Sequence, residues 1–186
     1  AAPKEIPTPL PDLIWYGLYS TGLRSFDQAN NASTDEEKVT LYGESSKAFS
    51  LAANYRETHL LTQRMLGATT LMASDTANGV KALERAMEIY DSKYIASETL
   101  TENQVMLNKA MGDFSQDSQQ VSYLAQQLAV IYDAQGDPRK ALDILAKGNE
   151  LTSGDEDIKR MELNIYNKNP DLFEEARSKF EAAIEA

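Results

Sequence analysis

Apolar residues recur along the chain at intervals of three and four positions from Leu13 onward, and no alternating pattern extends beyond a few residues. This spacing gathers apolar side chains on one face of an α-helix, whereas a half-buried strand would alternate at every second position. The pattern therefore predicts an all-α fold of about nine helices with no sheet. We place the helices at 12–29, 35–54, 57–74, 78–92, 102–114, 118–135, 138–151, 155–168 and 170–185.

Capping residues mark several of these boundaries, because their side chains satisfy the backbone groups that have no partner at helix ends. Two pairs have the spacing of a capping box, namely Thr34 with Glu37 and Thr101 with Gln104. Two more starts combine a capping side chain with a proline at the first helical position, Asp137-Pro138 and Asn169-Pro170. The links between helices are short, so successive helices must fold back antiparallel on one another.

The chain also repeats itself. Lys47-Ala48-Phe49 and Lys81-Ala82-Leu83 are near-copies 34 residues apart. Further copies follow at Lys140-Ala141-Leu142 and Glu175-Ala176-Arg177. An apolar or small residue lies four positions after each alanine, at Ala52, Ala86, Leu145 and Phe180. Self-similarity at such a period is typical of stacked helical hairpins.

One unit of this pattern is preserved best. It carries Leu128-Ala129, Tyr132 and Gly136 before a turn, and Ala141, Leu145 and Gly148 after it. These residues resemble the tetratricopeptide repeat (TPR), a helix-turn-helix of about 34 residues with Leu-Gly and Tyr on its first helix and Ala-x-x-x-Phe on its second. Ala129 and Ala141 would let the two helices approach closely, and Gly136 would relieve the turn. The resemblance implies an α-α superhelix of helical hairpins. The alternative is a helical bundle whose Ala-rich helices repeat by chance.

The repeats divide the chain into an extended Pro-rich leader at 1–11 and a single TPR-like helical repeat domain at 12–186. Within that domain we place degenerate helix pairs at 12–92, a spacer helix in 93–117 and better repeats at 118–186. The proline-spaced leader resembles the segment that follows a processed signal or lipid anchor. Together with the lack of cysteine, it favours the bacterial periplasm or the cell surface, with a cytoplasmic location as the alternative.

Charge and composition argue against several classes of function. Twenty-nine acidic and eighteen basic residues give a net charge of −11, which repels nucleic-acid phosphates and anionic lipid head groups. The lack of cysteine excludes a disulfide framework and thiolate chemistry. No apolar run is long enough for a transmembrane helix. Protein or peptide partners remain, and nucleic acid does not.

The sequence contains no catalytic motif that we recognise. The single histidine, His59, has neither a cysteine nor a second histidine with which to share a metal, so we interpret it as a surface or packing residue. We interpret Asp155-Glu156-Asp157 as a charged cap at a helix start, because a calcium loop would need alternating oxygen ligands. We therefore predict a protein that is not an enzyme and that has no cofactor and no metal site.

In the TPR family the first helix of each pair lines a concave groove that binds peptides, and the resemblance implies the same here. With Leu124, Leu128 and Ile131 in the buried stripe, the groove-facing residues of the best repeat are Tyr123, Gln126, Val130 and Asp133. Their counterparts in the next repeat are Arg160, Asn164 and Lys168. These three form a row that can grip a peptide carboxylate or backbone, although a solvated helix face is the alternative interpretation. The leading hypothesis is a scaffold or adaptor that binds a peptide or protein segment.

Two other functions stay open. Phe173, Phe180 and Ile184 form an apolar face near the C-terminal end, which predicts a homodimer or further repeats there. The chain would then be a structural assembly subunit that associates through its faces or through that end. The third hypothesis is a small-ligand binder or hydrolase, which requires an enclosed pocket with converging carboxylates.

Overall fold

A computed structural model describes residues 10–91 and 118–185. These two ranges contain eight α-helices and no strand, so the predicted all-α fold is confirmed for the described part of the chain. The chain divides into two compact units, Ala1–Gln116 and Asp117–Ala186. The first unit contains α1 (Leu10–Asn31), α2 (Asp35–Ala53), α3 (Leu60–Met72) and α4 (Thr76–Asp91). The second contains α5 (Ser118–Ala134), α6 (Pro138–Thr152), α7 (Glu156–Lys168) and α8 (Pro170–Glu185).

The observed helices begin and end within a few residues of the predicted positions. α1 begins at Leu10, so Leu10 and Pro11 belong to a helix and not to the predicted leader. Pro11 is tolerated there because a missing N–H costs nothing in the first helical turn. The second unit begins at Asp117, next to the predicted start of the better repeats at 118. The predicted helix at 102–114 lies outside the described residues, and a single repeat domain over 12–186 stays a prediction.

Local capping explains why the starts of α2, α6 and α7 were predictable. The Glu37 N–H donates to Thr34 Oγ1 at 3.2 Å, and the Glu37 carboxylate accepts the Ser33 N–H at 3.3 Å. This is the predicted pairing, with the return bond one residue earlier than in the standard box. The Thr101/Gln104 pair lies outside the described residues.

The two predicted caps that precede a proline behave differently. Asp137 accepts the Lys140 N–H at 3.0 Å and opens α6, and Gly136 supplies a φ of +81° in the preceding turn. α8 does begin at Pro170, but the Asn169 side chain does not cap it. Asn169 Nδ2 donates to the Ile165 carbonyl at 2.8 Å, so this side chain closes α7 instead. An amide both donates and accepts, and sequence spacing cannot choose between the two roles.

The core of the first unit is aromatic. Trp15 and Phe49 are fully buried, and the Tyr19 ring lies between them with centroid separations of 5.4 Å and 5.2 Å. The Trp15 indole Nε1 donates to Thr62 Oγ1 at 3.1 Å. Trp15 lies near the start of α1 and Thr62 near the start of α3, so this bond joins the starts of two alternate helices.

His59 is buried in the same core. Its ring lies edge-on to Trp15 with centroids 5.0 Å apart, and its Nδ1 accepts the Thr62 N–H at 3.2 Å. This bond caps the start of α3, which explains why α3 begins later than the predicted residue 57. The Arg56 guanidinium lies 4.3 Å above the Trp15 ring. The structure therefore gives His59 a packing role, one of the two that the sequence allowed, and a capping role that was not predicted.

Small residues bring paired helices into close contact. A Cβ added at Gly148 would lie 2.5 Å from Ala125 Cβ, so α5 and α6 meet at a point where only hydrogen fits. Gly67 and Gly79 serve α3 and α4 in the same way. Ala141 is fully buried, as a small residue between packed helices should be.

Candidate functional site

The predicted site residues lie on α5 and α7, which run side by side in the same direction. Near the starts of both helices, the Ser122 hydroxyl bonds to the carboxylate of Asp155, the N-cap of α7. In the last turns, Lys168 Nζ lies 3.1 Å from Asp133 Oδ2. Contacts at both ends thus align the two helices. We call the surface that carries the predicted residues the α5/α7 face; they are Tyr123, Gln126, Val130, Asp133, Arg160, Asn164 and Lys168.

The α5 part of this face combines a buried side with an exposed one. Leu124 and Leu128 are fully buried, whereas the Tyr123 and Val130 side chains are 39% and 55% exposed. The Tyr123 hydroxyl also accepts a hydrogen bond from the Gln127 amide. An aromatic ring and an aliphatic side chain are therefore presented to solvent by a helix that the core holds in place.

Gln126 belongs to a chain of hydrogen bonds. Its Nε2 donates to Ser122 Oγ at 2.9 Å, and the Ser122 hydroxyl in turn bonds to Asp155. The Asp155 carboxylate also accepts the N–H groups of Ile158 at 3.0 Å and Asp157 at 2.9 Å. These bonds, with the one from Ile158 contributing most, hold the pKa of Asp155 below its usual range. Asp155 is thus a helix cap, as interpreted, and Gln126 is anchored to it.

The α7 part of the face carries two cations and an amide. Arg160 Nη1 lies 3.4 Å from Asp157 one turn earlier on the same helix, and the Asn164 side chain is exposed. Lys168 pairs with Asp133 of α5, and this ion pair joins two members of the predicted set across the two helices. Exposed ion pairs of this kind contribute little stability and exchange readily with a ligand. The row therefore keeps a cation and an amide that a ligand can reach, and its third member is partly neutralised.

A groove of about 290 Å³, which we call the Glu175 groove, lies between α6, α7 and α8. Glu175 of α8 accepts hydrogen bonds from Arg139 of α6 and from Lys179 of α8, both at 2.7 Å. These two bonds, the one from Arg139 first, lower the pKa of Glu175 to about 2. The Tyr166 ring lines the same groove, where burial raises the pKa of its hydroxyl. The clamped carboxylate is a direct polar link between α8 and α6.

A larger groove of about 480 Å³ lies in the first unit between α2, α3 and α4. We call it the Lys47/Lys81 groove, after the two lysines that line it from α2 and α4. Its other polar lining includes Ser46, Gln63, Thr70 and Arg85. Sequence reasoning missed both grooves as sites. The available signal was the Lys-Ala repeat, which served as a marker of period and not as a clue to binding.

Comparison with known protein families and with curated proteins finds no match to this chain. Its function must therefore be inferred from its own surfaces. Within residues 10–91 and 118–185, no three histidine or acidic side chains come close enough together to hold a metal ion. None of the helices in these two ranges has both the length and the apolar character of a membrane span.

The clamp on Glu175 predicts a pH dependence of stability. A carboxyl whose pKa is lowered in the folded state stabilises that state above its unfolded pKa of about 4.5, and the contribution disappears as the pH falls towards about 2. We expect the thermal unfolding midpoint of the second unit to fall over this window, and to fall less in a Glu175→Gln variant. Far-UV circular dichroism at a series of pH values measures both midpoints, with the emission of Trp15 used to identify the transition of the first unit.

Glu174→Gln is the matched control for this measurement. Glu174 carries the same charge and is adjacent, but its ion pair is with Arg177 of its own helix and does not link two helices. We expect it to keep the acid sensitivity of the unchanged chain. If Glu174→Gln and Glu175→Gln respond to pH alike, the clamp does not stabilise the unit. Because all three clamp residues are partly exposed, added salt should reduce the difference.

Proposed function

We propose that this protein is a non-catalytic adaptor of the TPR type, which binds a peptide or protein segment of a partner on the α5/α7 face. The observation that carries the proposal is the composition of that face. Tyr123 and Val130 are exposed on α5, Arg160 and Asn164 are exposed on the neighbouring α7, and both helices bury their opposite sides. Aromatic and arginine side chains contribute a large share of the binding energy at such interfaces. A location in the bacterial periplasm or at the cell surface stays our prediction.

The surroundings of the repeated alanines support a TPR-type arrangement. Ala48, Ala82 and Ala141 are all buried where helices pack, and Ala176 on α8 is half-buried. Each of the two grooves also lies beside the second helix of one pair and both helices of the next pair. Equivalent sequence positions thus have equivalent surroundings in two units. This correspondence favours stacked helical hairpins over a bundle whose helices repeat by chance.

The proposed binding mode uses α7 to hold polar groups and α5 to hold an apolar side chain. The Arg160 guanidinium can exchange its exposed partner Asp157 for a carboxylate of the ligand, and Asn164 can bond to a peptide backbone. Tyr123 and Val130 offer apolar contact to a neighbouring side chain of the ligand. Lys168 contributes less, because Asp133 already pairs with it.

Substitution of Arg160 and Asn164 by alanine tests this proposal. Partners are first captured from the native source by the unchanged chain, and peptides from them are then titrated against both proteins. We expect the double variant to bind such a peptide at least about tenfold more weakly, because it loses a charge-assisted hydrogen bond from Arg160 and a hydrogen bond from the Asn164 side-chain amide.

The matched control replaces a cation and an amide elsewhere on α7. Lys159→Ala with Asn167→Ala changes the same residue classes at exposed positions outside the predicted set. This control should bind as the unchanged chain does. Capture that survives the Arg160/Asn164 substitution would show that the α5/α7 face is not the binding surface.

A second candidate function is that of a structural assembly subunit. Phe180 and Ile184 of α8 are 67% and 69% exposed, and no residue of α8 is fully buried. Exposed apolar side chains on one helix are typical of surfaces that associate. A molecular mass that rises with protein concentration in sedimentation would favour this function over a monomeric adaptor.

A further inference from the structure

The Glu175 groove shows how this fold holds a carboxylate. Glu175 lies between Arg139 of the preceding second helix and Lys179 one turn later on its own helix, with both distances at 2.7 Å. Two charge-assisted bonds from two helices are a strong arrangement for an acidic group. The carboxylate in this case is part of the chain itself.

The Lys47/Lys81 groove lies between the corresponding helices of the first unit, but the residue that corresponds to Glu175 has the opposite charge. When Ala82 is aligned with Ala176, Lys81 falls at the position of Glu175 and Arg85 at that of Lys179. Lys47 of α2 lines the same groove. The groove therefore contains cations from two helices, and lysine replaces the carboxylate that bridges them in the second unit.

The acidic groups near this groove leave its lysines available. Within residues 10–91 and 118–185, neither Lys47 nor Lys81 forms an ion pair. Asp75, which also lines the groove, is bonded by Asn78, whose Nδ2 lies 2.7 Å from Asp75 Oδ2 and whose N–H bonds to Oδ1. These bonds first, and the charge of Lys81 after them, lower the pKa of Asp75, but Lys81 forms no direct ion pair with it. Arg85 alone has carboxylate partners, at 3.5 Å and 3.2 Å, and both of those carboxylates are well exposed. The lysines keep their hydrogen-bond donors for a group from outside.

We propose that the Lys47/Lys81 groove is a second binding site, which takes a carboxylate side chain of a short acidic peptide segment from a partner protein. Charge complementarity identifies this occupant, because the groove of an otherwise acidic chain concentrates lysine and arginine. Ser50 and Gln63 line the same groove and can bond to the peptide backbone. A nucleic acid is disfavoured, because the net charge of −11 repels a long polyanion along its whole length, whereas a short acidic segment brings only a few charges close to the chain.

Isothermal titration calorimetry with hexaglutamate tests this site on the full chain. We expect hexaglutamate to bind and hexaglutamine not to bind, with an affinity that falls as salt is added. Lys47→Gln with Lys81→Gln should weaken binding by about tenfold or more, because two charge-assisted bonds are lost. Lys81→Glu alone should abolish binding, because it places a carboxylate at the position that Glu175 occupies in the second unit.

The control removes two lysines at a distance from the groove. Lys38→Gln with Lys159→Gln changes the net charge by the same amount, and each of these lysines pairs with an acid of its own helix. Circular dichroism verifies that every variant is folded. Equal weakening by both double variants would show general charge attraction and overturn the site. So would absence of hexaglutamate binding, or tighter binding of a single-stranded oligonucleotide of equal charge. Because these lysines lie in the first unit, the result is independent of the α5/α7 face.

Discussion

Replacement of Trp15 by alanine is expected to lower the free energy of unfolding of the first unit by about 4 kcal/mol. The indole is fully buried, and it touches the rings of Tyr19 and His59. It also donates to Thr62 across to α3, so alanine removes both a large apolar volume and a bond between alternate helices. The surrounding aromatic rings are too rigid to fill the space. Urea unfolding followed by far-UV circular dichroism measures the loss.

Tyr16→Ala provides the control for this prediction. Tyr16 is the next residue on the same helix, and its side chain is exposed. We expect its removal to change the stability by no more than about 0.5 kcal/mol. If Trp15→Ala and Tyr16→Ala lost similar amounts, Trp15 would not be central to the core. Trp15→Phe should fall between the two, since it keeps a ring and loses the bond to Thr62.

An alanine at position 148 is expected to destabilise the second unit by about 2 kcal/mol, although alanine ordinarily favours a helix over glycine by about 1 kcal/mol. The added methyl would lie 2.5 Å from Ala125 Cβ and 3.0 Å from the Ile158 side chain. Neither the alanine methyl nor its backbone can rotate away, so α5 and α6 must separate. Urea unfolding of the variant measures the cost.

A compensating substitution makes this prediction specific. Ala125→Gly removes the methyl that an alanine at 148 meets, so the double variant should recover much of the stability lost by Gly148→Ala. Gly17→Ala is the control for the substitution itself, because a Cβ there meets nothing within 4 Å. That control should gain about 0.5 to 1 kcal/mol. A gain of similar size from Gly148→Ala would contradict the close approach of α5 and α6.

The predictable part of this fold is the part that neighbouring residues decide. The start of α2 follows from Thr34 and Glu37, and the start of α6 follows from Asp137 and Pro138, because these side chains satisfy backbone groups within one turn. The three-and-four spacing of apolar residues then determines which side of each helix is buried. Asn169 is instructive, since its helix boundary was correct while its hydrogen-bond partner was not.

The less predictable part depends on which residues meet across helices. In the sequence His59 is an isolated polar residue. Its packing role depends on the Trp15 ring, which only the fold brings next to it. The pairing of Lys168 with Asp133 joins residues 35 positions apart, and no local pattern announces it. The repeat aligns Lys81 with Glu175, but the sequence does not show that each residue lines a groove between helices. The change from carboxylate to lysine therefore acquires a meaning for binding only in the structure.

Trp15 has one more consequence, because it is the only tryptophan in the chain and it belongs to the first unit. Its emission therefore reports the solvation of that unit alone, while the helical signal averages over both. Recording the two signals in one denaturation separates the transitions of the units without any label. If the two curves do not coincide, the two units unfold independently, each in its own cooperative transition.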